Sequence, residues 1–143
     1  MILIDANILL YASNAAADLH TESRNWLDAK LNGAAPVGLP WPSLLALLPI
    51  STNPRAFRSP LSVTAAWEQV ASWLSAQAAW SPEPSERHAA VLSKLLALPG
   101  MYGNLVPDAH LAALAIEHGL TLCSTDGDFA RFPGLNWLNP LAA

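Results

Sequence analysis

Charge is what this chain has little of. Its 7 Lys and Arg and 11 Asp and Glu make up only 13% of 143 residues, for a net charge of −4. So few cations exclude a protein that grips nucleic acid through a broad basic surface, while leaving room for phosphate docking beside bound cations. The single cysteine, Cys123, excludes an internal disulfide framework and suits a reducing compartment. No apolar run approaches the roughly 20 residues of a membrane span. The longest, Leu44 to Leu48, is far too short, and Met1 to Leu3 lead into Asp5 without a signal-peptide pattern. The expectation is a cytoplasmic protein with no membrane contact.

What the chain has in quantity is apolar mass: 52% of it is hydrophobic, including 6 Trp. Its length fits one domain, residues 1–143, able to bury a real core. A sequence this poor in charge also leaves apolar surface to cover, so a partner protein, a second copy, or both are expected.

Strands and helices alternate. Ile2–Leu3–Ile4 reads as a buried strand, with a helix beginning at Ala6. A second helix, capped by Asp18 or Thr21, stops at Asn32–Gly33, and Val37–Leu39 reads as the next strand. Ser43–Ile50 forms an apolar helix despite Pro49. Ser62 caps another towards Ala78, whose Trp67, Val70, Ala71, Leu74 and Ala78 would share the core face, leaving Trp73 for a partner. Trp80 starts a strand, Ser85 caps a helix, and Pro107–Asp108 opens one that His118–Gly119 closes. Leu120–Cys123 and Leu135–Leu138 complete the strands. Such alternation predicts a parallel sheet covered on both faces.

Four acids occupy unusual places. Asp5 ends the first strand, Asp108 begins a helix, and Asp126 and Asp128 follow the strand Leu120–Cys123. In a parallel sheet the C-terminal strand ends share one edge and helix N-termini gather beside it, which directs Asp5, Asp126 and Asp108 to a common crevice. Clustered carboxylates repel one another until a hard cation sits between them. Oxygen ligands suit Mg²⁺ or Mn²⁺, which can stabilise charge on a phosphate and lower the pKa of a bound water. Asp5 as a helix cap and Asp126–Gly127–Asp128 as an ordinary turn are the plainer alternatives.

Three blocks resemble a known family: Ile2-Leu3-Ile4-Asp5-Ala6-Asn7 through Tyr11, Val106-Pro107-Asp108-Ala109-His110 through Ala115, and Ser124-Thr125-Asp126-Gly127-Asp128-Phe129. In order and spacing they resemble PIN domains, and among these the VapC-type ribonuclease toxins of bacterial toxin–antitoxin pairs. The resemblance spans essentially the whole chain. It implies a three-layer α/β/α domain with a central, mainly parallel sheet that hydrolyses RNA phosphodiesters with Mg²⁺ or Mn²⁺. By motif position, Asp5, Asp108 and Asp126 are the metal-binding acids and Asp128 a fourth, with Asn7 and Thr125 as orienting residues. It also implies a homodimer and a VapB-like antitoxin. The chain departs at the helix after the second strand, where such proteins carry a glutamate: Trp41 to Ile50 has no acid, and Ala46 stands about where it belongs.

Arg55 and Arg58 flank Phe57 in the most basic loop, a candidate RNA contact or a solvated loop. His110 reads as a packing or hydrogen-bonding residue, His20 and His88 as solvated, and Cys123 as inert core. Two rivals remain: an aspartyl-nucleophile phosphatase using Asp5, for which Asn7 replaces an expected second aspartate, and a non-cutting RNA- or antitoxin-binding module, favoured by Ala46.

Overall fold

Ile2–Ile4 forms β1, the central strand of a computed structural model that describes residues 1–142. The other strands are β2 (Val37–Gly38), β3 (Ala79–Trp80), β4 (Thr121–Cys123) and β5 (Asn136–Leu138). They pair in the order β3-β2-β1-β4-β5, every neighbour parallel, with Leu3 opposite Gly38 on one side and Leu122 on the other. Gly38 is required there: a Cβ would sit 3.0 Å from Leu3 Cδ1 and 3.0 Å from Pro82 Cγ.

Side-chain alternation divides the core in two. Ile4 and Cys123 point to one face, and Leu3 and Leu122 to the other. Over the first face pack α1 (Ala6–Ser13), α2 (His20–Leu31), α3 (Trp41–Ser51) and α4 (Val63–Leu74), burying Ile8, Leu9, Leu27, Leu44, Leu47 and Val70. Over the second pack α5 (His88–Leu96) and α6 (Leu105–His118), with Phe129 and Phe132 closing the layer. The expected α/β/α architecture is therefore the observed one. No helix is long and apolar enough to cross a membrane among the described residues.

Local chemistry accounts for most boundaries. Ser62 Oγ accepts from the Ala65 N–H and starts α4, while α6 stops at Gly119, whose φ of 68° favours glycine. Some expectations fail. Neither Asp18 nor Thr21 caps α2, which begins behind Leu19 without a side-chain cap. The α4 helix ends at Leu74 rather than near Ala78, and α6 starts at Leu105, ahead of Pro107. Proline is tolerated in a first turn because its missing N–H has no intrahelical partner there.

The stripe on α4 lies one position away from the expected one. Ala66, Val70 and Trp73 face inward, with Trp73 only 4% exposed, whereas Trp67 is 46% exposed and stacks on Trp41 with centroids 6.4 Å apart. The helix has apolar residues nearly all round, so helical spacing fits two adjacent stripes and packing selects one.

Candidate metal centre

The C-terminal edge of the sheet carries the acids. Asp5 leaves β1 with its N–H bonded to the Cys123 carbonyl at 3.0 Å, which ties it to β4. Its Oδ1 accepts from the Ala6 N–H at 2.8 Å, and its Oδ2 accepts from the Ser124 hydroxyl at 2.7 Å. That hydroxyl in turn accepts from Asn7 Nδ2 at 3.2 Å and from the Asp126 N–H at 3.0 Å. One donor and two acceptor positions are the full capacity of a serine side chain, so Ser124 is saturated. Asn7 Oδ1 also accepts from the Thr125 N–H at 3.5 Å. Asn7 thus braces the loop after β4, and Thr125 contributes its backbone.

Further along, Asp126 Oδ1 accepts from the Asp128 N–H at 2.9 Å and caps a 3₁₀ turn over Gly127–Arg131. Asp108 stands in the first turn of α6. One carboxylate oxygen from each of Asp108, Asp126 and Asp128 lies within 4.8 Å of the others. Asp5 lies outside that triplet, yet its charge reaches Asp108. Burial, then the charges of Asp5, Asp126 and Asp128, push Asp108 up to about 6, against the opposing pull of Arg131. Asp5 is raised chiefly by its own burial, opposed by its bonds to Ser124 and Ala6.

These residues fit a hard divalent cation. Opposite ligands of Mg²⁺ are about 4.2 Å apart. Adjacent ligands are about 2.9 Å apart, so the three oxygens, within 4.8 Å of one another, would draw together around a bound ion. The donors are all carboxylate oxygens, and Asp108 carries a raised pKa that a bound cation would relieve. Helix α3 adds no acid. Ala46 is exposed, while Leu47 and Ile50 wall a cleft of about 200 Å³ shared with Asp5, Asn7 and Leu10.

Arg55 and Arg58 lie in an exposed loop beyond α3 and make no ion pair among the described residues. The cation at the acids is instead Arg131, whose Nη2 is 3.6 Å from Asp128 Oδ1. Sequence reasoning missed it, as it missed the part played by Ser124. A serine at a strand end and an arginine in a short turn carry no distinguishing signal until the chain folds.

The histidine readings divide. His110 is a hydrogen-bonding residue, with Nδ1 3.0 Å from His88 Nε2. His88 is not solvated: it is 9% exposed and its Nδ1 lies 2.8 Å from Glu117 Oε2. Glu117 is itself buried, and its Oε1 accepts from the Ser85 N–H at 2.7 Å. His88 lies on the helix face of Val91, Leu92 and Leu95, and a buried glutamate on α6 supplies the polar partner that lets it face inward. His20 is half-buried, its Nδ1 2.8 Å from the Tyr11 carbonyl oxygen. Cys123 is buried core, its thiol pushed up to about 11 chiefly by burial.

Comparison with known proteins bears on the family and the fold. Residues 2–135 match the family model of the PIN domain. Ribonuclease VapC37 of Mycobacterium tuberculosis is 46% identical over 142 residues, covering 99% of each chain. Two solved structures share the fold. VapC20 of M. tuberculosis, described as a sarcin-ricin loop cleaving toxin, has a TM-score of 0.68 at 17% identity, over 95% of this chain and 99% of that one. VapBC2 of Rickettsia felis, bound to a promoter DNA fragment, has a TM-score of 0.68 at 21% identity, over 96% of this chain and 98% of that one.

Proposed function

Since the chain belongs to the PIN-domain family, we propose that it is a divalent-metal-dependent endoribonuclease and the toxin of a toxin–antitoxin pair. The observation that carries this reading is the gathering of Asp108, Asp126 and Asp128 oxygens within 4.8 Å, beside a buried Asp5. In this reading Asp108, Asp126 and Asp128 hold one Mg²⁺ or Mn²⁺. When bound, such a cation supplies Lewis-acid stabilisation of charge on a phosphate and acidifies a coordinated water.

The chain's own residues have separate tasks. Asp5 stands beside Asp108, its orientation held from both sides by Ala6 and Ser124. Asn7 and the Thr125 N–H hold the loop that presents Asp126. Asp126, through its Oδ1 bond to Asp128, sets the 3₁₀ turn and keeps the group preorganised, so little rearrangement accompanies the reaction. The reaction is hydrolysis: water adds in line to phosphorus and the opposite P–O bond breaks. No serine or cysteine nucleophile is needed, and Ser124 has no free lone pair to offer. A nucleophilic Asp5 is disfavoured because Asn7 stands where that chemistry needs a second aspartate.

The partners under this reading are RNA, a VapB-like antitoxin and a second copy of the chain, acting in the cytoplasm. Purified, antitoxin-free protein incubated with total cellular RNA, with Mg²⁺, with Mn²⁺ and with chelator, provides the test. Discrete fragments that need a metal and vanish in Asp5→Asn are expected. Absence of fragments from folded, metal-loaded protein leaves the non-cutting binding module, which the acid-free α3 favours.

A further inference from the structure

We propose that Arg131 is a phosphate-binding residue for the RNA strand, parked on Asp128 while that carboxylate has no cation. The inference rests on the ribonuclease reading of the acidic group. An RNA backbone brings negative charge to a site that already holds Asp5, Asp108, Asp126 and Asp128, and one divalent cation offsets only part of it. The chain has few cations to spare, 7 Lys and Arg in all. Arg24 lies 3.9 Å from Asp28, and the Arg87 guanidinium donates to the Glu117 carbonyl. Lys94 lines an apolar cleft with Val91, Leu95 and Pro133, Lys30 lines a separate one with Met1 and Val37, and Arg55 and Arg58 lie in the loop beyond α3, outside the acidic group. Arg131 is the cation whose field opposes the raised pKa of Asp108.

The geometry of Arg131 is that of a loosely held donor. Its Nε donates to the Asp128 carbonyl at 3.2 Å, which fixes the stem to the turn that also carries Asp128. Its Nη2, at 3.6 Å from Asp128 Oδ1, is too far for a hydrogen bond, so the guanidinium is attracted but not engaged. The Arg131 side chain is 36% exposed and that of Asp128 54%, so the pair stands at the rim of the site. A guanidinium has five N–H donors in a planar fork matched to phosphate oxygens, and here most of that fork is free.

The arrangement implies an exchange. With Asp128 given to a cation, the Nη end would lose the carboxylate that holds it, and the fork would turn to the phosphate that arrives with the RNA. Cation and RNA then favour each other's binding, whereas Arg131 and the cation compete for Asp128.

That opposition makes the test decisive. In an Asp5→Asn background, which blocks cleavage, Arg131→Gln and Arg131→Lys are compared by Mn²⁺ calorimetry and by affinity for a single-stranded RNA oligonucleotide across a salt series. For Arg131→Gln, Mn²⁺ should bind about two- to fivefold tighter, because the competing ion pair is gone. RNA should bind about tenfold weaker, with a log–log salt slope smaller by ~0.7, the share of one phosphate on a single strand. Arg131→Lys should restore the slope without the full affinity. An unchanged slope, or weakening of Mn²⁺ and RNA together as expected of a merely structural residue, would overturn the proposal. If the Asp5→Asn parent binds no RNA at any salt, the ribonuclease reading fails first and this inference with it.

Discussion

Ser124 and Asp5 are 119 residues apart in sequence, yet the serine hydroxyl donates to Asp5 Oδ2 at 2.7 Å. The same hydroxyl accepts from Asn7 and from the Asp126 backbone, so one buried atom joins the acid of β1 to the loop after β4. Ser124→Ala leaves the Asn7 amide and a buried Asp5 oxygen without their partner. The expected cost is about 1–3 kcal/mol of stability. Cleavage should fall about 10- to 100-fold as Asp5 loosens, a shift of a few kcal/mol in the barrier at most. Urea denaturation and RNA cleavage by the same preparation check both.

Asp108 makes the metal-free protein sensitive to pH. Its folded-state pKa of about 6 lies above the ordinary 3.8, so the folded chain binds this proton more tightly than the unfolded one. The contribution is fully present below about pH 4, is lost as pH rises through 6, and leaves a constant penalty above. Asp108→Asn removes the penalty. In chelator the variant should match wild type near pH 4 and exceed it by about 1 kcal/mol at pH 7.5, solvent screening included. Added Mg²⁺ or Mn²⁺ should stabilise wild type and not the variant. Thermal unfolding at several pH values, with and without metal, reads out each part.

The two tryptophans of α4 should behave oppositely to their sequence pattern. Trp73 is 4% exposed and Trp67 46% exposed. Trp73→Ala should cost about 3–5 kcal/mol. Trp67→Ala, which loses a surface stack on Trp41, should cost about 1 kcal/mol. Denaturant midpoints of the two variants test the assignment, and equal losses would contradict it.

Glu117 is the pin between α5 and α6. Its side chain is fully buried and holds both the Ser85 N–H and His88 Nδ1. Glu117→Ala strands both donors and should cost about 2–4 kcal/mol. The acids are not part of this network, so the folded fraction should keep its metal affinity, as Mn²⁺ titration would show.

Much of this was legible beforehand where one residue type has few alternatives. Ile2–Ile4 ending in Asp5, Gly119 after His118, and Asp126 after a short apolar strand have strong local reasons to be strand, cap and edge acid, and all were found there. Parallel topology followed from alternation. Legibility failed where local chemistry was neutral and packing chose. The α4 stripe admits two adjacent readings, and Ser124 and Arg131 gain their places only when β4 meets β1 and the 3₁₀ turn closes. The His88–Glu117 pair likewise joins residues 29 apart that neither helix alone would bring together.

Asp126→Asn decides whether the Asp108, Asp126 and Asp128 oxygens hold the cation that RNA cleavage needs. Initial cleavage rates of a single-stranded RNA are measured against Mn²⁺ concentration for wild type and variant, beside calorimetric Mn²⁺ binding. Wild-type rates should saturate at the Mn²⁺ concentration that fills the site, with binding weakened at least about tenfold and cleavage lost in the variant. Undiminished cleavage in chelator, or a variant that cuts as wild type does, would show that these oxygens do not hold the catalytic cation.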